Sequence, residues 1–157
     1  MNSISIIIPV LNEAKNIEAL LTYLNLNSSS KLISDILVVD GGSTDGSQEI
    51  VSEFSKTHPK VIGLNSPKGR AKQMNLGASQ SKGNVLYFLH ADSIPPKNFD
   101  QYILDAFHKG AKTGCFKMKF DSSHWWLQLA GWFTQFNWKS CRGGDQSLFV
   151  EKIAFND

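Results

Sequence analysis

Apolar residues in this chain fall into short unbroken runs, separated by stretches where they recur at helical spacing. The first run, Ile4-Ser5-Ile6-Ile7-Ile8-Pro9-Val10, is β-branched and reads as a buried strand. Ile17, Leu20, Leu21 and Leu24 then follow the period of a helix. Asn12 is placed to cap that helix, and Glu13 suits its positive first turn. Ile33 to Val39 predicts a second strand, and a helix starting near Thr44 or Asp45 would bury Ile50, Val51 and Phe54. Val61 to Leu64 gives a third, shorter strand, followed by a helix from about Arg70 to Gln80.

Val85 to Leu89 is the fourth run, and five such residues fit a strand better than a helix. It ends abruptly in His90, Ala91 and Asp92, and Pro95-Pro96 then forbids ladder pairing. Pro96 can sit in the first turn of a helix that turns Phe99, Ile103, Leu104 and Phe107 inward and closes at Gly110. Thr113 to Phe120 and Ser147 to Val150 read as two further strands, flanking an aromatic segment from Trp125 to Trp138.

Strands alternating with helices predict an α/β fold with a Rossmann-like, mostly parallel sheet flanked by helices and right-handed crossovers. The 157 residues suffice for one domain, and 41% hydrophobic against 19% charged residues excludes disorder. A net charge of +2 is too mild to point to nucleic acid. Cys115 and Cys141 lack metal-type spacing and suit a reducing, cytoplasmic setting. Met1 to Val10 lacks the pattern of a signal peptide, and no apolar run approaches bilayer length. No closing element is visible at Phe155-Asn156-Asp157, so a missing C-terminal part is expected.

Three polar groups fall at predicted strand ends: Asn12-Glu13, Asp40 with Asp45, and His90 with Asp92. Open α/β sheets bind ligands beyond the carboxyl ends of their strands, so one cleft would gather all three. Asn and Asp also serve as caps and turn formers, and it is the occurrence of three along one edge that favours a site. Asp40-Gly-Gly-Ser-Thr-Asp45-Gly is neither a P-loop nor a dinucleotide fingerprint, although its glycines allow a ring or ribose to approach closely. Lys68, Arg70 and Lys72 form either a solvated basic face or a diphosphate clamp, with Arg70 suited to bidentate contact. His90 reads either as a hydrogen-bonded structural group or as a ligand, and Asp92 either as a cap for the next helix or as a carboxylate holding a divalent cation that bridges two phosphates; an imidazole ligand suits Mn²⁺ better than Mg²⁺.

At these residues the chain resembles family 2 glycosyltransferases of the GT-A type. The matching stretches are Ile7-Ile8-Pro9-Val10-Leu11-Asn12-Glu13, Val38 to Ser47, Gly69 to Ala78, Phe88-Leu89-His90-Ala91-Asp92-Ser93 and Gly143-Gly144-Asp145-Gln146. The resemblance implies inverting transfer of a sugar from a UDP- or GDP-type donor to an acceptor left open. It implies a nucleotide pocket at Pro9, Asn12, Glu13, Asp40, Asp45 and Arg70, with Asp40 facing the base. His90 and Asp92 occupy the family's Asp-x-Asp metal motif, in a His-Ala-Asp form that a subgroup shares, so Mn²⁺ or Mg²⁺ is expected. Asp145 is the candidate base that deprotonates the acceptor, or else an acceptor ligand or a turn residue after Gly143-Gly144.

Trp125 to Trp138 reads as core, acceptor platform or peripheral membrane contact. Two other readings stay open: a non-catalytic nucleotide-sugar-binding module, and a sugar-1-phosphate nucleotidylyltransferase. Against the second, Pro9-Val-Leu-Asn-Glu13 lacks the Gly-rich loop with Arg and Lys that such enzymes carry after their first strand.

Overall fold

The computed structural model describes residues 2–116 and 147–156. A six-stranded sheet with order β3-β2-β1-β4-β6-β5 forms its centre. Strands β1 (Ile4–Val10), β2 (Ile33–Asp40), β3 (Val61–Asn65) and β4 (Val85–Phe88) run parallel. β6 (Leu148–Glu151) lies antiparallel between β4 and β5 (Thr113–Cys115). Helices α1 (Ile17–Asn27), α2 (Ser47–Thr57), α3 (Arg70–Gln80) and α4 (Phe99–His108) connect them, and a short α5 (Lys152–Asn156) follows β6. This is the α/β sheet expected from the apolar pattern.

Alternation along each strand divides the core into two layers. Ile4, Ile6, Ile8 and Val10 enter one layer with Leu20, Leu21 and Leu24 of α1, Val51 of α2 and Phe99 and Ile103 of α4. Ile7 enters the other, with Leu37, Val39, Leu86, Phe88 and Ala78 of α3. Covering both faces explains why β1 and β2 are near-continuous apolar runs. α1 has no side-chain bond at its cap Asn16, a loss of about 1 kcal/mol. Burial of Ile17, Leu20, Leu21 and Leu24 stabilises by about 2 kcal/mol per side chain, so packing rather than capping holds the helix.

Three expected helix starts shift. Asn12 does not cap α1, which begins five residues later; Asn12 adopts φ 59° instead and bonds across to the next loop. α2 begins at Ser47, not at Thr44 or Asp45, because the Asp45 carboxylate accepts the Ser47 amide and hydroxyl just ahead of the helix. α4 begins at Phe99, and Pro96 lies before it, its carbonyl accepting the Phe99 amide. β2 runs one residue further than its apolar stretch, because Asp40 pairs in register with Val10 on one side and Asn65 on the other.

α3 approaches the sheet at Gly77, where a Cβ would lie 2.5 Å from Ile7 Cγ2. Gly77→Ala would gain about 1 kcal/mol of helix propensity but overpack the interface by about 1–3 kcal/mol. The expected outcome is a lower midpoint in chemical denaturation, whereas Ser79→Ala, at an exposed position of the same helix, leaves the midpoint within error.

Candidate functional site

Strand order places β2 and β3 on one side of β1 and β4 on the other, so the order in which strands are added across the sheet reverses at the junction of the parallel β1 and β4. Loops leaving the carboxyl ends of two such strands diverge and open a crevice. A cleft of about 350 Å³ occupies that position. Pro9 lines it from β1 and Glu13 from the loop that follows, His90 and Asp92 from the turn after β4, Lys68 from the loop before α3 and Arg70 from the first position of that helix. The Leu89 amide still pairs with the Ile7 carbonyl at 3.0 Å, and the chain then turns, with the Ser93 amide bonded to the His90 carbonyl at 3.1 Å. β6 re-enters the sheet at this same edge, since Leu148 pairs with Phe88.

Asp40 lines a neighbouring cleft of about 590 Å³ together with Val10, Ser47, Gln48 and Asn65. Val10 borders both clefts. Asp40 is buried, and its Oδ2 accepts the Gly42 amide at 2.8 Å, the Ser43 amide at 2.9 Å and the Gln48 side-chain amide at 2.7 Å. Its Oδ1 is buried with no hydrogen-bond partner among the described residues. Burial pushes the Asp40 carboxyl up, but the bonds from Ser43, Gly42 and Gln48 outweigh it and hold the group below its ordinary value.

Asn12 and Asp45 line neither of these two clefts; they tie the β1 and β2 loops together. Asn12 donates its amide to Ser43 Oγ at 2.8 Å and accepts the Thr44 amide at 2.9 Å. Asp45 Oδ2 accepts the Ala14 amide at 2.9 Å, and Ser47 Oγ accepts the Glu13 amide at the same distance. The Ser47 hydroxyl and the Ala14 amide lower the Asp45 pKa. The expected residues therefore separate into a cleft-lining group of Pro9, Glu13, Arg70, His90 and Asp92, an adjoining Asp40, and a loop-fastening pair. Asp145 and Trp125 to Trp138 lie outside the described residues.

Residue-by-residue reading singles out neither Gln48 nor Gln73. Gln73 is buried in α3 and lines the first cleft. Only its place in the Gly69 to Ala78 motif drew any attention to it, because a glutamine inside a helix ordinarily faces water.

Among the described residues no group of three or more His, Cys, Asp or Glu side chains is arranged to hold a metal ion. His90 and Asp92 still border one cleft, and a catalytic Mg²⁺-type ion is commonly held by one or two side chains plus substrate phosphates and water. A two-donor set beside the cationic Lys68 and Arg70 fits an ion that arrives with a diphosphate.

A Rossmann-like sheet with acidic and cationic loops gathered at the carboxyl edge defines a GT-A-type domain. The chain belongs to glycosyl transferase family 2, whose description it matches over residues 5–150. It is 37% identical over 94 residues to glycosyltransferase AglE of Haloferax volcanii, covering 59% of this chain and 31% of that protein. Succinoglycan biosynthesis protein ExoA of Rhizobium meliloti is 33% identical over 112 residues, covering 69% and 34%. The chain thus spans about a third of the length of these curated relatives. In fold it is similar to glucosyl-3-phosphoglycerate synthase of Mycobacterium tuberculosis, whose structure contains Mn²⁺ and UDP, with TM-score 0.68, 15% identity and coverage of 97% and 57%. The mannosyltransferase PcManGT of Pyrobaculum calidifontis, in complex with GDP-Man and Mn²⁺, gives TM-score 0.64, 20% identity and coverage of 98% and 46%.

Because the folded pKa of Asp40 is depressed, its charge stabilises the fold above the ordinary Asp value of 3.8, and that stability is lost as pH falls through the lower, folded value. Asp40→Asn should therefore be less stable than the parent at neutral pH, and the gap should close below pH 3.8. Denaturation midpoints measured across the acid range check this.

Proposed function

We propose that this domain transfers a sugar, with inversion, from a UDP- or GDP-type sugar to an acceptor nucleophile. One observation carries this reading: Glu13, Arg70, His90 and Asp92, far apart in sequence, border one cleft at the β1/β4 switch point. Lys68 and Arg70 would neutralise the diphosphate, with the guanidinium gripping two oxygens at once. His90 and Asp92 would hold a divalent ion, which when bound supplies Lewis-acid stabilisation of the leaving phosphate. The buried, unpartnered Oδ1 of Asp40 calls for a donor, which the imide N–H of a nucleobase provides.

The reaction balances as a single displacement. The acceptor oxygen bonds to the anomeric carbon as the bond to the diphosphate oxygen breaks, and a carboxylate takes the acceptor's proton. Asp145 is our candidate for that base. UDP and GDP are the probes of choice because proteins of the same fold hold UDP in the Mycobacterium tuberculosis structure and GDP-Man in the Pyrobaculum calidifontis structure.

Calorimetric titration of the folded chain with UDP and with GDP, each in MnCl₂, tests the reading. Binding of one nucleotide with micromolar affinity is expected, and heat from neither would overturn it. Asp92→Ala should abolish the enhancement by Mn²⁺ while leaving the metal-free affinity unchanged. Arg70→Ala should weaken binding about ten-fold or more with or without metal, the loss expected for a charge-assisted contact. Binding without donor hydrolysis or transfer would favour the non-catalytic module over the enzyme.

A further inference from the structure

We propose that Gln73 is a positioning residue whose side-chain amide clamps the carboxyl ends of β1 and β2 and so fixes the α3 turn that carries Arg70 relative to the β2 end that carries Asp40 in the adjoining cleft; its effect on nucleotide affinity rests on the donor-site reading above. Gln73 is 4% exposed, and its Nε2 donates to the Val10 carbonyl at 2.8 Å and to the Val39 carbonyl at 2.7 Å. Carbonyls only accept, so chemistry dictates that the nitrogen of this amide faces them. The Val10 carbonyl also accepts the Gly41 amide, at 2.9 Å. The ends of two strands and the turn after the second therefore converge on one side chain.

Gly41 lies against that side chain. A Cβ there would sit 3.1 Å from both Cδ and Nε2 of Gln73. The next two amides, of Gly42 and Ser43, are the ones that fix Asp40 Oδ2. On the other side, Arg70 stands three residues before Gln73 in α3, so the two are neighbours on one helix face. The Gln73 amide nitrogen of the backbone bonds to the Gly69 carbonyl at 3.0 Å, which makes this the first turn of the helix. One buried group thus links the turn that presents the guanidinium to the turn that presents the carboxylate.

Core packing does not require an amide here. β1 and β2 are already paired in register from Ser5 with Asp35 through Val10 with Asp40. Burying an amide also carries a desolvation penalty that an apolar side chain of the same length avoids. What the amide adds is a directional tie between α3 and two strand ends, at the point where the two clefts meet.

The test is Gln73→Met, which keeps length and volume but removes both donors. It is read by thermal melting, by amide hydrogen exchange resolved at residues 41–43, and by UDP and GDP titration in MnCl₂. The expected result is a folded protein with a melting temperature near the parent's, exchange at Gly41, Gly42 and Ser43 accelerated about ten-fold or more, and nucleotide affinity lowered about ten-fold. The losses in affinity from Gln73→Met and Asp40→Asn should be non-additive, as expected of groups acting through one another.

A merely structural glutamine would lower the melting temperature and leave the two losses additive. Unchanged exchange at residues 41–43 in folded Gln73→Met would overturn the proposal. If Gln73→Met does not fold, Gly41→Ala, which presses on the amide without removing it, should give the same local acceleration, and its absence would equally overturn the clamp. A parent chain that binds neither nucleotide would sink the donor-site reading alone, since the exchange data decide the clamp by themselves.

Discussion

The structure depends on the parallel register of β1 with its two neighbours. Val10 stands opposite Asp40, and Ile7 stands opposite Phe88, so three strands reach the same edge of the sheet within a few residues of one another. Each strand is buried on both faces, and a slip of one residue would turn its core side chains toward the wrong layer. The hydrophobic pattern that holds the core therefore also fixes where Glu13, Asp40 and His90 emerge. Site geometry and fold stability have the same origin.

The loops beyond that edge are ordered by polar bonds of short reach. Asn12, Ser43, Asp45 and Ser47 exchange side-chain and backbone bonds between the β1 and β2 loops. In the sequence these residues look like helix caps, because the atoms a cap uses and the atoms a loop tie uses are the same. Asp45 does act just ahead of α2, through Ser47, while its other oxygen crosses to Ala14. Local chemistry alone does not disclose which partner is taken, and that is why the starts of α1 and α2 came out displaced.

Much of the architecture was legible. The apolar runs marked β1, β2, β3 and β4, and the spacing of Ile17, Leu20, Leu21 and Leu24 marked the buried face of α1. The range of α3 matched its expected bounds. The antiparallel placement of β6 between β4 and β5 was not legible, since Leu148-Phe149-Val150 carries no trace of strand direction. At the site, the motifs assigned Asp40 to the same pocket as Glu13, Arg70, His90 and Asp92, whereas in the structure those four border one cleft and Asp40 lines the one next door, a distinction made by which sheet face its side chain takes. Gln73 stayed hidden because its partners are main-chain carbonyls on two other elements, and such acceptors exist at every position.

The uneven dressing of Asp40 has a consequence for recognition. Three donors fasten one carboxylate oxygen, so the orientation of the whole group is settled during folding. On the function proposed above, an incoming nucleobase meets an immobile acceptor and need not restrict a swinging side chain as it docks. Discrimination at such a point follows from geometry: a molecule offering hydrogen in the right direction gains a bond, and one offering a lone pair meets a fixed negative charge it cannot turn aside.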